Sequence, residues 1–163
     1  MIKVLYPGSF DPVTLGHLDL VQRALRLFDR VTVAVAVNPT KAPLFTVEER
    51  MQMLAEVLPA DRERLTITTF QGLAVDYCKR TGHDAILRGV RTVSDFEFEY
   101  QMALTNRHLS DDVETVFVMP NAKFAFISSS LMRDVVRHGG DVSAFLPPAV
   151  ERRLKERLQP RKA

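Results

Sequence analysis

Tyr6-Pro7-Gly8-Ser9-Phe10-Asp11-Pro12-Val13-Thr14-Leu15-Gly16-His17 is the stretch around which the chain is organised. The apolar run Ile2 to Leu5 leads into it, and an amphipathic helical pattern, Leu18 to Phe28, leads out. Glycines at 8 and 16 put no Cβ between the backbone and whatever approaches it. Pro7 and Pro12 fix φ and stiffen the path between them. His17 falls on the first turn of the helix, where unpaired N–H groups and the positive dipole end favour an anion. A strand, a glycine-bearing loop and a helix start carrying a histidine together predict a phosphate site.

The same alternation of apolar run and helical pattern continues along the chain. Strands are predicted at Ile2–Tyr6, Val31–Val37, Leu65–Phe70, Ala85–Leu87 and Thr115–Met119, and Val33 to Val37 reads as a strand buried on both sides. Thr46-Val47-Glu48-Glu49 and Ser94-Asp95-Phe96-Glu97 read as capping boxes. They open helices of about 11 and 13 residues, ordinary lengths. Further helices span Leu73 to Arg80, ending at Gly82, and Ser130 to His138, ending at Gly139-Gly140. A last helix, Ala149 to Leu158, follows Pro147-Pro148, and Pro148 suits a first helical turn. The order predicts one α/β domain over residues 1–163, doubly wound and Rossmann-like. It has a five-stranded parallel sheet with helices on both faces, and a flexible basic tail from about residue 159.

Composition narrows the function classes. The 163 residues are 46% hydrophobic and 26% charged with a net charge of +2, which implies no strong field for nucleic acid or membrane. The basic end, with Arg152, Arg153, Lys155, Arg157, Arg161 and Lys162, also carries Glu151 and Glu156 and reads as a solvated face. Cys78 is the single cysteine, so no internal disulfide forms, and it reads as a small core residue. No basic segment followed by a long apolar run opens the chain, so a cytoplasmic protein is expected.

In doubly wound sheets ligands bind at the carboxyl ends of the strands, which directs attention to the loops 6–17, 38–45, 70–73, 88–95 and 120–130. The first is neither a Walker loop nor a dinucleotide fingerprint. Its Gly16-His17 pair at a helix start carries the functional reading, in a setting that depresses an imidazole pKa. Lys41 is a solvated lysine or a phosphate ligand. Arg88, at a strand end, suits bidentate phosphate binding or a structural ion pair. Ser128, Ser129 and Ser130 serve as helix caps, as a phosphate cradle, or as both. Asp11 is left open between a turn residue and a supporting group. The four histidines (17, 83, 108, 138) show no metal-ligand spacing.

With these residues in view the sequence resembles the nucleotidyltransferase superfamily and its (H/T)-x-G-H motif, and within it the bacterial phosphopantetheine adenylyltransferases. The resemblance rests on Tyr6 to Pro12, Thr14 to His17, Lys41, Arg88-Gly89-Val90-Arg91, Asp95 to Glu99, Asn106-Arg107-His108 and Ile127 to Ser130. It implies transfer of the adenylyl group of ATP to 4′-phosphopantetheine, giving dephospho-coenzyme A and pyrophosphate. The nucleophile is then the acceptor's own anionic phosphate, so catalysis is by positioning and electrostatics rather than by a protein nucleophile.

The same resemblance assigns roles. His17 stabilises the transition state, with Lys41 and Arg91 completing the catalytic set. ATP is bound by Ser9, Phe10, His17, Gly89, Val90, Arg91, Glu99 and the run Phe124, Ala125, Phe126, Ile127, Ser128, Ser129 and Ser130. Phosphopantetheine is bound by Ser9, Lys41, Leu73, Ala74 and Arg88. Ser9 stands where the family commonly has threonine, and Ala74 where it often has methionine. Mg²⁺ arrives with ATP rather than on protein ligands. A homohexamer, feedback inhibition by coenzyme A and the absence of nucleic-acid or membrane partners are further implications. The competing readings are another small nucleotidyltransferase, acting on nicotinamide mononucleotide or a phospho-alcohol, and a nucleotide-binding module without catalysis.

Overall fold

The Val33-Ala34-Val35 run lies between two parallel neighbours and is buried throughout, as its continuous apolar character predicts. A computed structural model describes residues 1–38, 42–61 and 63–159. Along it run β1 (Lys3–Gly8), α1 (Leu15–Leu27), β2 (Arg30–Ala36), α2 (Val47–Val57), β3 (Leu65–Phe70) and α3 (Ala74–Thr81). They are followed by β4 (Ala85–Gly89), α4 (Val93–Leu109), β5 (Glu114–Val118), a 3₁₀ turn (Ala122–Phe124), α5 (Ser129–Arg137) and α6 (Pro148–Leu158). The five strands are all parallel, in the order β3-β2-β1-β4-β5. The chain therefore winds outward from β1 through β2 to β3, then crosses back to place β4 on the other side of β1. The carboxyl ends of β1 and β4 flank the switch point, where such sheets open a crevice.

The two faces of the sheet are covered unequally. Val4, Tyr6, Val31, Val33, Val35 and Leu87 pack against α1, α2, α5 and α6 in the larger core. Leu5, Ala34 and Ile86 point the other way, onto Val75 and Cys78 of α3. The remaining helix, α4, buries only Glu99 among its residues.

Several boundaries differ from the sequence expectation, each for a visible reason. Helix α1 starts at Leu15 rather than Leu18, because Thr14 is extended (φ −124°) and its hydroxyl caps His17 N–H. Helix α4 is capped by Thr92, which accepts the Asp95 N–H at 3.1 Å, and runs for 17 residues. The expected Ser94–Glu97 capping box does not form, since Ser94 lies inside the helix and contacts the Thr92 hydroxyl instead. The Thr46–Glu49 box forms as expected. So do the stops of α3 at Gly82 (φ 66°) and of α5 before Gly139 (φ 77°), both left-handed positions suited to glycine. Gln159, at the head of the expected tail, donates to the Val136 carbonyl at 2.6 Å, while residues 160–163 lie outside the described residues.

Candidate active site

The first loop is built on Phe10. Its backbone takes a positive φ of 48°, and its buried ring packs edge-on against Tyr6 (5.4 Å between centroids) and His17 (5.1 Å). The ring folds back over the end of β1, so closely that a Cβ at Gly8 would lie 2.9 Å from Phe10 Cζ. Gly8 is therefore glycine at least to admit Phe10. At Gly16 a Cβ would make only ordinary contacts, the nearest at 3.5 Å, so the space there is left to the adjoining cleft.

His17 is fixed by the cap it shares with Thr14. Its Nδ1 accepts the Thr14 backbone N–H at 2.9 Å and lies 3.0 Å from the Thr14 hydroxyl. A nitrogen that accepts a hydrogen bond carries no proton, so the neutral ring bears its hydrogen on Nε2, which is left as a donor. Burial pushes the imidazole down to about 4, and the Arg91 charge adds to the shift. The sequence attributes this depression to the helix start, whereas desolvation is the larger cause. His17, which lines the crevice, thus keeps a neutral Nε2–H donor across the physiological range.

A pH dependence of stability follows. The unfolded imidazole takes its proton near 6.5 and the folded one near 4. Between these values the unfolded chain carries the extra proton, so stability falls as pH is lowered through the window and is untouched by His17 above it. The loss approaches about 3 kcal/mol by pH 4. Urea unfolding at pH 4.5 and 7 should show a smaller difference for His17→Gln than for the unmodified protein. Long-range ¹H–¹⁵N spectra should show the Nε2–H tautomer of His17 unchanged from pH 8 to 5.

Two arginines, Arg88 at the end of β4 and Arg91 just beyond it, complete the crevice. Arg88 donates from Nε to Glu99 Oε2 (2.6 Å), from Nη2 to Oε1 (2.5 Å) and from Nη1 to the Pro7 carbonyl (3.2 Å). Arg91 donates to Asp95 (2.9 Å) and to the Ile127 carbonyl (2.5 Å), tying the loop after β4 to the start of α5. The ion-pair reading of Arg88 is the one the structure displays, and the pair leaves two of its N–H groups unengaged. A Cβ on Gly89 would run into Leu20 Cδ1, so glycine lets Leu20 of α1 pack directly on the end of β4.

Three hollows meet around this crevice. The first, on the α1 side, is lined by His17, Gly16, Phe10, Arg88, Gly89, Arg91, Glu99, Phe124, Ile127, Ser128 and Ser129, with Tyr6 and Pro120. The second, on the α3 and α4 side, is largely apolar and is lined by Ser9, Phe70, Leu73, Ala74, Ile86, Phe98, Met102 and Arg88. Pro7, Gly8 and Arg88 belong to both, so one guanidinium stands where they join. The third holds Ser9, Asp11, Arg50, Ser129, Ser130 and Arg133.

Most of the expected site residues therefore converge, and some do not. Val90 is buried with its N–H on the Val118 carbonyl, and it lines none of the three hollows. Ala125 and Phe126 also stay outside them, with Phe126 packed edge-on against Phe145. Ser128 caps α5 by accepting the Leu131 N–H (3.1 Å), and the Ser129 hydroxyl donates to the Pro12 carbonyl (2.7 Å). Lys41 lies outside the described residues. Among the described residues no cluster of three or more His, Cys, Asp or Glu side chains is placed to hold a metal ion.

Sequence reasoning missed Arg50, Arg133 and the role of Asp11. Asp11 accepts the Leu44 and Phe45 N–H groups (2.8 and 2.9 Å) and pairs with Arg133 (3.1 Å), so it is an anchor rather than a ligand. The buried Arg50 holds the carbonyls of Ser9 (2.7 Å) and Ala36 (3.3 Å). A lone helical arginine carries no local signal of such a role.

The parallel sheet and the capped histidine helix at its switch point fall within residues 5–135, the stretch that a cytidylyltransferase-like family model matches, which places the chain among the nucleotidyltransferases. Two relatives narrow the class further. The phosphopantetheine adenylyltransferase of Thiobacillus denitrificans is 48% identical over 159 residues, covering 98% of this chain and 99% of that protein. The enzyme of the same name from Opitutus terrae is 52% identical over 155 residues, covering 95% and 96%. The chain belongs to the phosphopantetheine adenylyltransferase family. Solved structures show the fold again at low identity. A putative nicotinate-nucleotide adenylyltransferase from Vibrio parahaemolyticus superposes with a TM-score of 0.67 at 17% identity, covering 97% of this chain and 95% of that one.

Proposed function

We infer that this chain transfers the adenylyl group of ATP to the phosphate of 4′-phosphopantetheine, releasing pyrophosphate and forming dephospho-coenzyme A. The observation that carries the reading is the junction of two unlike hollows at Arg88: a polar one beside His17 and an apolar one along α3 and α4. ATP takes the first and the pantetheine arm lies along the second, past Leu73 and Ala74. The two phosphates then meet at the carboxyl ends of β1 and β4.

In the reaction an oxygen of the acceptor phosphate attacks the α-phosphorus of ATP. The new P–O bond forms as the bond to the bridging oxygen of the β-phosphate breaks, and the electron pair leaves with pyrophosphate. The nucleophile is already anionic, so no protein base is required. His17 donates its Nε2–H to the α-phosphoryl oxygen as negative charge gathers there. Arg91, with Ser128, Ser129 and the start of α5, receives the outer phosphates. Arg88 holds the acceptor phosphate, and Lys41 and Ser9 are assigned to the same group by the family resemblance. Mg²⁺ travels as part of the nucleotide substrate, neutralising its triphosphate.

Further proposals concern assembly and control. Helix α4 leaves Phe96, Tyr100 and Leu104 exposed, which supports association into the homohexamer implied by the resemblance. Coenzyme A shares the pantetheine arm and adenine nucleotide of the product, which supports feedback inhibition at the same two hollows. No helix among the described residues is long and apolar enough to cross a membrane. A cytoplasmic location is proposed.

The test is turnover with ATP and each acceptor in turn, read by mass spectrometry. Dephospho-coenzyme A should form from phosphopantetheine, and nicotinamide mononucleotide should give no dinucleotide. Pyrophosphate release with nicotinamide mononucleotide alone would overturn the reading in favour of a different acceptor. ATP binding without turnover would reduce the chain to a binding module.

A further inference from the structure

We propose that Arg157, on the C-terminal helix, is a positioning residue for the reaction, holding the segment between β2 and α2 against the first loop from outside the site. The inference rests on the adenylyl transfer to phosphopantetheine proposed above.

The basic end of the chain reads in sequence as a solvated face, yet two of its arginines engage α2 and the residues before it. Arg153 pairs with Glu56 at 2.6 Å. Arg157 makes three contacts at the other end of that helix. It pairs with Glu49, donates from Nη1 to the Leu44 carbonyl at 2.8 Å, and lays its guanidinium over Phe45, 4.9 Å from the ring centroid. A planar guanidinium can fork and stack at once, which an ammonium cannot. The helix that carries it is a firm platform, since α6 buries Val150 and Leu154 in the larger core.

Leu44 and Phe45 are also the residues that Asp11 holds, through their backbone N–H groups. One short segment is thus clasped between the first loop and the C-terminal helix. Its N–H groups engage Asp11, while a carbonyl and an aromatic ring engage Arg157. Directly before it, Ala42 and Pro43 line the third hollow with Ser9 and Ser129. That hollow shares Ser9 with the apolar hollow and Ser129 with the polar one. A shift of its wall therefore disturbs the places of both substrates. Arg157 lines none of the three hollows, so it contributes alignment and not binding. Misplacement by about 1 Å can cost about a hundredfold in rate, even when the altered residue lies far from the chemistry.

With both substrates saturating, Arg157→Ala should lower the single-turnover rate about tenfold and leave each KM within about twofold. Hydrogen exchange of the Leu44 and Phe45 amides, read by mass spectrometry, should quicken about tenfold or more. Glu49→Gln removes the ion pair but keeps the α2 capping box, for which glutamine also serves, so its rate should stay within about twofold. Arg157→Lys keeps a charge beside Glu49 and gives up the combined fork and stack. It should recover little of the rate, and it serves where the alanine variant does not fold. Full rescue by lysine, or an equal loss in Glu49→Gln, would reduce Arg157 to an ion pair between helices and overturn the inference. So would an unchanged rate per folded enzyme well below Tm, or a raised KM without loss of rate. The exchange measurement needs no turnover and so separates the two levels. If the unmodified enzyme forms no dephospho-coenzyme A, the proposed reaction fails and the catalytic role of Arg157 with it, whatever the exchange shows. If the reaction runs and exchange at Leu44 and Phe45 is unchanged in Arg157→Ala, the clasp alone fails.

Discussion

Replacing His17 with alanine is expected to lower kcat by about 10²- to 10³-fold while leaving the KM of both substrates close to their original values. The size is that of losing one pre-aimed donor to a developing oxyanion. Its expression in kcat follows from timing: the α-phosphoryl oxygen carries most charge in the transition state, so the donor is worth most there. The donor is also pre-aimed at no cost in reorganisation, since Thr14 N–H already holds Nδ1 at 2.9 Å. Alanine removes half of that capping box, with a stability loss of about 1 kcal/mol. For a chain of this length that shifts Tm by about 2–4 °C. His17→Gln is the informative control, because its amide offers a carbonyl to the cap and an N–H₂ to the substrate. It should recover part of the rate. Steady-state pyrophosphate release and thermal unfolding by circular dichroism read both effects. A loss confined to KM would instead make His17 a ground-state ligand.

The position of His17 was legible in the sequence because strand, loop and helix follow one another within seventeen residues. Its tautomer was not. The 14–17 cap runs through a histidine instead of the usual glutamate, so the familiar pattern for a capping box does not reveal it. The Thr46–Glu49 box, which has the usual pattern, was read correctly. Ser94–Glu97 has the same pattern and forms no box, because Thr92 reaches Asp95 first. Local signals thus compete, and only the fold decides between them.

The pairings that shape the crevice are beyond local reading. The resemblance assigns Arg88 and Glu99 to different substrates, and the return of α4 over the sheet binds them to one another across 11 residues. The family resemblance groups Val90 with its neighbours Gly89 and Arg91 as a nucleotide contact. Alternation along the end of β4 turns it away, and its N–H continues the ladder to Val118. Gly8 borders the two hollows and also makes room for the Phe10 ring, a second demand that comes from the positive φ of Phe10, which no neighbouring residue predicts. The strand order itself was also outside the sequence: alternating strands and helices imply a parallel sheet, but not that β4 lies beside β1.

Asp11→Ala is expected to be the most destabilising single change near the site, costing about 3–5 kcal/mol and lowering Tm by about 10 °C. The Asp11 side chain is 7% exposed and engages three partners far away in sequence, the N–H groups of Leu44 and Phe45 and the Arg133 guanidinium. Alanine leaves two backbone donors without an acceptor and a guanidinium without its counter-ion. Such orphaned groups cost more than the bonds were worth. Asp11→Asn tests the reasoning, since its single carbonyl oxygen can keep one backbone N–H while the charge against Arg133 is lost. Its Tm should lie between the other two. Activity should fall further than stability in both variants when assayed well below Tm. The three partners belong to the segment between β2 and α2 and to α5, so Asp11 ties the first loop to both. If both variants unfold early yet turn over normally in the cold, Asp11 supports the fold alone. If turnover is lost at temperatures where they remain folded, the anchor also holds the geometry in which His17 and the α5 serines face one nucleotide.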